Sequence, residues 1–454
     1  MINRQLKFSE AIHEAIDICL ERDRSTYLMG LGVPDPIGVF GTTKGLQEKH
    51  GKKRVFDMPV AENAMSGVAL GSCLVGMRPI MTHMRLEFAM TAMDQICNQA
   101  AKWHYMFGGQ SKVPLTIRML VGRGWGQGPQ HSQSLHAWFA HIPGLKVVMP
   151  STPYDAKGLL IASIEDDNPV IFFEHRWLHN IHGPVPEGHY TVPLGQPRLV
   201  TEGDDVTIVA ASYATLESIK AARELEREGI KAEIIDLRTL VPRDDAAILA
   251  SVHKTGRLVV VDQGTLTGGF AGEIVARVTE QAFGALKAAP IRVALPDIPT
   301  PTTRALSNYY YPTPRHIVAA VHRTLGMTSD DPRDDASSPG TRPWTYRTSL
   351  SPDHSDVRLR RDLLARSTRL CHRSYRVQGR VAGAVADWPR RAGDRAFASA
   401  AHRSQSVRSL CAGPMHRSLR RHSRSGGRRA RARGLRARDR HPHGSPGAGA
   451  AVLS

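Results

Sequence analysis

The sequence predicts an α/β protein of two doubly wound domains followed by an Arg-rich tail without a core. Three observations carry that prediction. Short apolar runs alternate with helix-like stretches through the first 326 residues. The runs are continuously apolar, as a sheet covered by helices on both faces requires. The composition then changes abruptly after Gly326. The domains are placed at residues 1–190 and 191–326, and the tail at 327–454.

Taken in order, Phe8, Ile12, Ile16 and Cys19 fall near helical spacing within residues 5–23, an opening helix with one apolar face. A strand at 25–30 leads into a loop carrying Gly38, Gly41 and Gly45. Residues 54–60 read as a strand and 63–74 as a helix, with Glu62 at the seam, where open α/β sheets place ligand-contacting groups. A strand at 79–83, a helix at 89–106 stopped by Gly108 and Gly109, and a strand at 113–121 follow. The glycine-rich loop 122–130 then leads through His131 to an aromatic helix with Trp138 and Phe139. A strand at 145–149, a helix at 153–165 capped by Ser151 or Thr152, and a strand at 169–173 complete the first domain.

Residues 175–204, rich in Pro, Gly and His, read as a linker. Alternation then resumes, with strands at 206–211, 231–237, 257–262 and 291–295 and helices at 215–228, 244–253, 270–286 and 313–325.

The net charge of +18 suggests nucleic acid until it is divided along the chain. Residues 327–454 hold 27 Arg, no Lys, 10 Asp and no Glu, and so carry +17; the body carries +1. Such a tail cannot bury enough apolar surface to offset the entropy of ordering, so disorder is expected there. It lacks Lys, Asn and Ile together, which reads as a shifted frame of GC-rich coding sequence; tryptic peptides from 358–440 in the native protein would refute that. The rival reading is a nucleic-acid-binding arm, and deleting the tail without loss of salt-sensitive DNA binding would eliminate it. Five cysteines form no C-x-x-C pair, and no run is long and apolar enough to span a membrane, so a cytoplasmic protein is expected.

By themselves the residues point to little chemistry. Glu62 fits a carboxylate stabilised at a helix N-terminus; His131, His136 and His141 fit structural histidines; Met84 and Phe88 fit a core. The loop 122–130 lacks the Lys-Ser/Thr of a P-loop and the dinucleotide glycine pattern. A ligand at the strand ends of a two-domain enzyme is as far as they lead.

Together, the segments carry more. Asp57-Met-Pro-Val-Ala-Glu-Asn63, Met84-Arg-Leu-Glu-Phe88, Ala92-Met-Asp-Gln-Ile96, Gln130-His-Ser-Gln-Ser134, Pro143-Gly-Leu-Lys146, Asp236-Leu-Arg-Thr239 and Gly268-Gly-Phe-Ala-Gly-Glu273 occur in an order that resembles the beta subunit of thiamine-diphosphate-dependent 2-oxo acid dehydrogenases. Pyruvate, branched-chain 2-oxo acid and acetoin dehydrogenases share this transketolase-like pattern. The resemblance spans about residues 4–326.

It implies a pyrimidine-binding domain followed by a transketolase C-terminal-like domain, and oxidative decarboxylation of a 2-oxo acid with acyl transfer to lipoamide. Glu62 would contact the cofactor's aminopyrimidine, Phe88 would stack on it, Met84 and the backbone of Val60 would line it, and His131 would serve as the active-site histidine. Ser163, Ile164, Asp166 and Asn168, at a helix end, would hold potassium. The diphosphate-magnesium motif Gly-Asp-Gly…Asn is absent, so an alpha subunit would supply the magnesium half in a heterotetramer of two alpha and two beta chains, and a dihydrolipoyl acyltransferase would take the product. His136 departs from the small or acidic residue usual at its position. Acetoin, or another transketolase-like reaction, is the alternative.

Overall fold

A computed structural model describes residues 4–123 and 126–328; the expectations for the tail lie outside the described residues. The strands, in chain order, are β1 (Gln5–Lys7), β2 (Thr26–Gly30), β3 (Val55–Phe56), β4 (Arg78–His83), β5 (Thr116–Val121), β6 (Lys146–Val148), β7 (Val170–His175), β8 (His182–Pro184), β9 (Arg198–Thr201), β10 (Val206–Ala210), β11 (Ala232–Asp236), β12 (Thr239–Val241), β13 (Leu258–Thr265) and β14 (Ile291–Leu295). Seven of them form one sheet in the order β12-β6-β7-β5-β4-β2-β3, parallel except for β12. Five form a second, β14-β13-β10-β11-β9, in which only β9 is antiparallel.

The apolar runs of the sequence become strands buried on both faces, with alternate residues entering different cores. In β7, Val170 and Phe172 meet the layer formed by helices Phe8–Arg22 and Pro153–Glu165, while Ile171 and Phe173 turn to the opposite core. That opposite core also takes Val209, Ile235 and Val260 of the second sheet and Ile248 and Ile274 of its helices, so one continuous apolar layer joins the two sheets. The outer face of the second sheet is covered by helices Tyr213–Arg227 and Pro314–Thr324 through Ala221, Leu225, Ile317 and Val321.

Of the two possible caps for helix Pro153–Glu165, Thr152 is the one used: its hydroxyl accepts from the Asp155 N–H at 3.1 Å. Four expectations differ from the structure. The strand placed at 54–60 shrinks to β3, because the chain leaves the sheet at Asp57, whose carboxylate accepts the N–H groups of Gly32 (3.0 Å) and Met58 (2.9 Å). The helix placed at 89–106 is broken into the turn Leu86–Ala89, a 3₁₀ turn, a π-helical segment Asp94–Ala100 and helix Ala101–Met106. The linker contains β8, paired with β1, and β9. β12 and helix Arg304–Tyr310 were not expected at all.

Candidate active site

Glu62 is the first residue of helix Glu62–Cys73, and Ala61 before it, at φ −152° and ψ 59°, supplies no side-chain cap. The residue is only 9% exposed, and among the described residues no hydrogen bond or ion pair engages its carboxylate. Burying an acid costs free energy unless a donor meets it, so this position fits a ligand that offers an N–H. Val60, two residues earlier, is 76% exposed.

The same helix packs against the turn Leu86–Ala89, which carries Phe88. Phe88 meets His131 edge to face, with ring centroids 5.4 Å apart and an interplanar angle of 83°. His131 comes from the loop after β5, and its N–H donates to the Gly128 carbonyl at 3.3 Å. Between them Glu87 accepts the Gln133 N–H at 2.8 Å, tying the loop to the turn. Met84 lies ahead of the turn rather than within it and covers Gly32, where an added Cβ would come within 2.4 Å of the Met84 methyl. The structure thus joins Phe88 to His131 and sets Glu62 on the neighbouring helix. Among the described residues no ring contact or hydrogen bond links Glu62 or Val60 to that pair.

The stretch assigned to potassium is already supplied with positive charge. The Ser163 carbonyl accepts from the Thr116 hydroxyl at 2.9 Å, and Arg78 donates to the carbonyls of Ile164 (2.9 Å) and Asp166 (2.7 Å). One Asp166 carboxylate oxygen accepts from Asn168 N and Nδ2, and the other pairs with Lys146. All three Asp166 oxygens, the main-chain one included, therefore already have partners, and no chemistry below uses potassium. Among the described residues no cluster of three or more His, Cys, Asp or Glu could hold a metal, and no helix is long and apolar enough to cross a membrane.

Several contacts of this region were not expected from the sequence. His136 crosses to the second sheet and meets Asp262 at 2.8 Å; burial pushes the Asp262 carboxyl up, but His136 and the N–H groups of Gly264 and Ala271 hold it below the usual range. Arg118 and Glu174 form a fully buried pair at 2.7 Å beneath the strand ends. Arg85, Arg123 and Arg176 gather against the aromatic rings of Phe40, Trp177 and Tyr311. No spacing in the sequence announces that cluster, because its members come from three separate strand ends.

Two joined α/β sheets, a helix-start carboxylate without a partner among the described residues and an aromatic-histidine pair on the neighbouring turn belong to a transketolase-like chain. The family models for the transketolase pyrimidine binding domain and the transketolase C-terminal domain match residues 4–180 and 195–317. A solved split-gene transketolase, described as an inactive beta4 tetramer, shares the fold at a TM-score of 0.57 and 24% identity, over 71% of this chain and 99% of its own.

The chain belongs to the family of dehydrogenase E1 beta subunits. It is 46% identical over 332 residues to the beta subunit of acetoin:2,6-dichlorophenolindophenol oxidoreductase from Cupriavidus necator, covering 71% of this chain and 98% of that one. It is 43% identical over 323 residues to the mitochondrial pyruvate dehydrogenase E1 beta subunit of Caenorhabditis elegans, covering 70% and 92%. The 2-oxoisovalerate dehydrogenase beta subunit of Bacillus subtilis is 39% identical over 318 residues, covering 70% and 97%.

Proposed function

We propose that this chain is the pyrimidine-binding half of a thiamine-diphosphate site, working with an alpha subunit that supplies the magnesium and diphosphate half and passing its acyl product to a lipoyl-bearing acyltransferase. The observation that carries the reading is Glu62, a residue only 9% exposed whose carboxylate has no partner among the described residues. When bound, thiamine diphosphate supplies a carbanion equivalent that cleaves the bond beside a substrate carbonyl. Glu62 accepts a hydrogen bond from the pyrimidine and so sets its protonation. Phe88 and Met84 offer it an apolar wall, and the exposed Val60 backbone offers it a polar contact. His131, held edge-on by Phe88, gives and takes a proton at the substrate oxygen, a role that suits imidazole near neutral pH.

The substrate is read as a 2-oxo acid, pyruvate or a branched-chain acid. Acetoin is the second reading, favoured by the 46% and 41% identity to two acetoin oxidoreductase beta subunits.

Co-expression with an alpha-type partner, followed by thiamine diphosphate binding and turnover of pyruvate, branched-chain acids and acetoin side by side, tests the proposal. Glu62→Gln should leave the assembly intact and abolish exchange of the cofactor's C2 proton. Retained exchange in that variant would remove Glu62 from this role, and failure of a correctly assembled enzyme to bind the cofactor would remove the reading.

A further inference from the structure

The loop that carries His131 is held along its length by groups of its own domain. Arg85 donates to the Gly122 carbonyl at 3.3 Å and to the Gln127 side chain, and the Gly122 N–H donates to the Gln133 carbonyl at 3.1 Å. The Gln133 N–H in turn reaches Glu87. The far end of the loop is held by the other domain. Five positions after His131, His136 opens helix His136–Ala140 and meets Asp262 of β13 at 2.8 Å.

A helix of five residues has too few internal hydrogen bonds to hold itself, and Leu135, its cap, offers no side-chain bond. Tertiary contacts must fix it. Phe139 supplies packing, fully buried against Phe173 with 5.5 Å between ring centroids. His136 supplies direction.

Asp262 is a fixed point for that purpose. Its Oδ1 also accepts the Gly264 N–H at 2.9 Å. Its Oδ2 accepts the Ala271 N–H at 3.0 Å in the first turn of helix Phe270–Ala282, whose cap, Gly269, has no side chain to do so. The carboxyl, held below its usual range, is ionised near neutral pH. An ionised carboxylate only accepts, so His136 Nε2 carries the proton. The two residues are 2% and 7% exposed, and a charge-assisted bond in so dry a place is strong and directional.

Packing alone does not ask for a histidine here. Its Nδ1 is buried without a partner among the described residues, a cost that an apolar ring would avoid. The cavity beside the pair, lined by His136, Asp262, Met149, Leu240 and Phe270 among others, is about 20 Å³, room for a water but not for a substrate. His136 therefore acts through its neighbours rather than on a ligand.

We propose that His136 is a positioning residue, whose bond to Asp262 ties the far end of the loop to the second domain and so sets His131 against Phe88. Displacing a reacting group by about 1 Å costs up to about 100-fold in rate, so an anchor five residues away is worth a buried polar bond. That His131 acts on a substrate rests on the thiamine reading above; that His136 holds it in place does not.

The test compares the unmodified full chain with His136→Phe, which keeps a ring and loses the donor, and with His136→Gln, whose amide places an N–H where Nε2 stands. Hydrogen exchange is read at the His131 and Gln133 amides, which bond to the Gly128 carbonyl and to Glu87, and at β10 as a control. In His136→Phe, exchange at the two loop amides should rise about tenfold or more with β10 unchanged, and in His136→Gln it should return to within about threefold of the unmodified chain. In the enzyme assembled with its alpha-type partner, His136→Phe should lower kcat about tenfold or more while substrate KM and thiamine diphosphate binding move less than about threefold, and His136→Gln should recover most of the loss. Where His136→Phe does not fold, His136→Leu carries the comparison. Unchanged exchange at the loop amides, an equal rise in β10, no recovery in His136→Gln, or an unaltered kcat in an enzyme that turns over overturns the proposal. Loosened loop amides in a correctly assembled enzyme without thiamine-dependent turnover would keep the anchor and remove the thiamine reading.

Discussion

His131 and Phe88 meet edge to face, 5.4 Å between ring centroids, and this contact joins the Glu87–Gln133 hydrogen bond in tying the glycine loop to the turn after β4. Edge-to-face pairs contribute about 0.5–1.5 kcal/mol beyond their area. Phe88→Leu, which keeps the apolar bulk and loses the ring edge, should therefore lower kcat by up to about tenfold in the assembled enzyme. His131→Ala should spare cofactor binding and lower turnover with a lipoyl acceptor by about 100-fold or more. Calorimetry with thiamine diphosphate and steady-state rates separate the two effects. An unaltered rate in His131→Ala would make the histidine structural.

Arg118 and Glu174 are both at 0% exposure, 2.7 Å apart, with His179 Nε2 3.3 Å from the second Glu174 oxygen. Removing one member strands the other charge, so Arg118→Met should cost about 3–5 kcal/mol in urea unfolding. The pH dependence follows from the carboxyl group. Burial pushes Glu174 up, but Arg118 and His179 outweigh it and leave its pKa below the usual value of 4.5. The depressed value means that this stabilisation is present above the unfolded pKa and is lost as pH falls through the folded one. Acid unfolding followed by circular dichroism should show a steeper loss below about pH 4.5 in the unmodified chain than in a Glu174→Gln variant.

Asp236 has the opposite sign. Burial, and then the neighbouring Asp155, push its pKa from 3.8 up to about 6, against the pull of Arg198, Ser151 and Arg238. A carboxyl raised in the folded state stabilises while protonated, so its contribution is complete below about pH 3.8 and is lost as pH rises through about 6. Asp236→Asn should flatten the fall in unfolding free energy across that window. A fall of equal steepness in the variant would assign the dependence to another group.

The sheet strands were legible because each is buried on both faces and stands out as a compact apolar run; β14 was expected at the same five residues it occupies. β12 was not. Its three residues pair with β6, some 90 positions earlier in the chain, and a pairing that distant leaves no local period. The π-helical segment Asp94–Ala100 carries the same apolar spacing as an α-helix and was read as one. At the site, Glu62, Phe88 and His131 could be told from capping, core and structural residues only by resemblance, because each has an ordinary structural use. Arg85, Arg123 and Arg176 escaped even that, since only the folded sheet brings residues so far apart in the chain to the same aromatic rings.

Gly122, where β5 ends and the loop to His131 begins, has φ 81°, and a Cβ added there would sit 2.1 Å from His175 Nε2. That ring cannot yield. It is stacked on Tyr213 at 4.6 Å, its Nδ1 accepts the Trp177 N–H at 3.3 Å, and burial together with the nearby Arg123 holds its pKa well below the usual histidine value, so it is neutral. Gly122→Ala then carries two costs, about 1–2 kcal/mol for left-handed backbone and about 1–3 kcal/mol for overpacking. Gly188→Ala has φ 69° but nothing within 4 Å of the added methyl, so it carries the backbone cost alone. Urea unfolding of the two variants isolates the packing contribution, and an equal loss in both would show that the close approach of His175 does not fix the loop. If it does, Gly122→Ala should also lose turnover out of proportion to its stability, because displacing the start of the loop displaces His131 from Phe88.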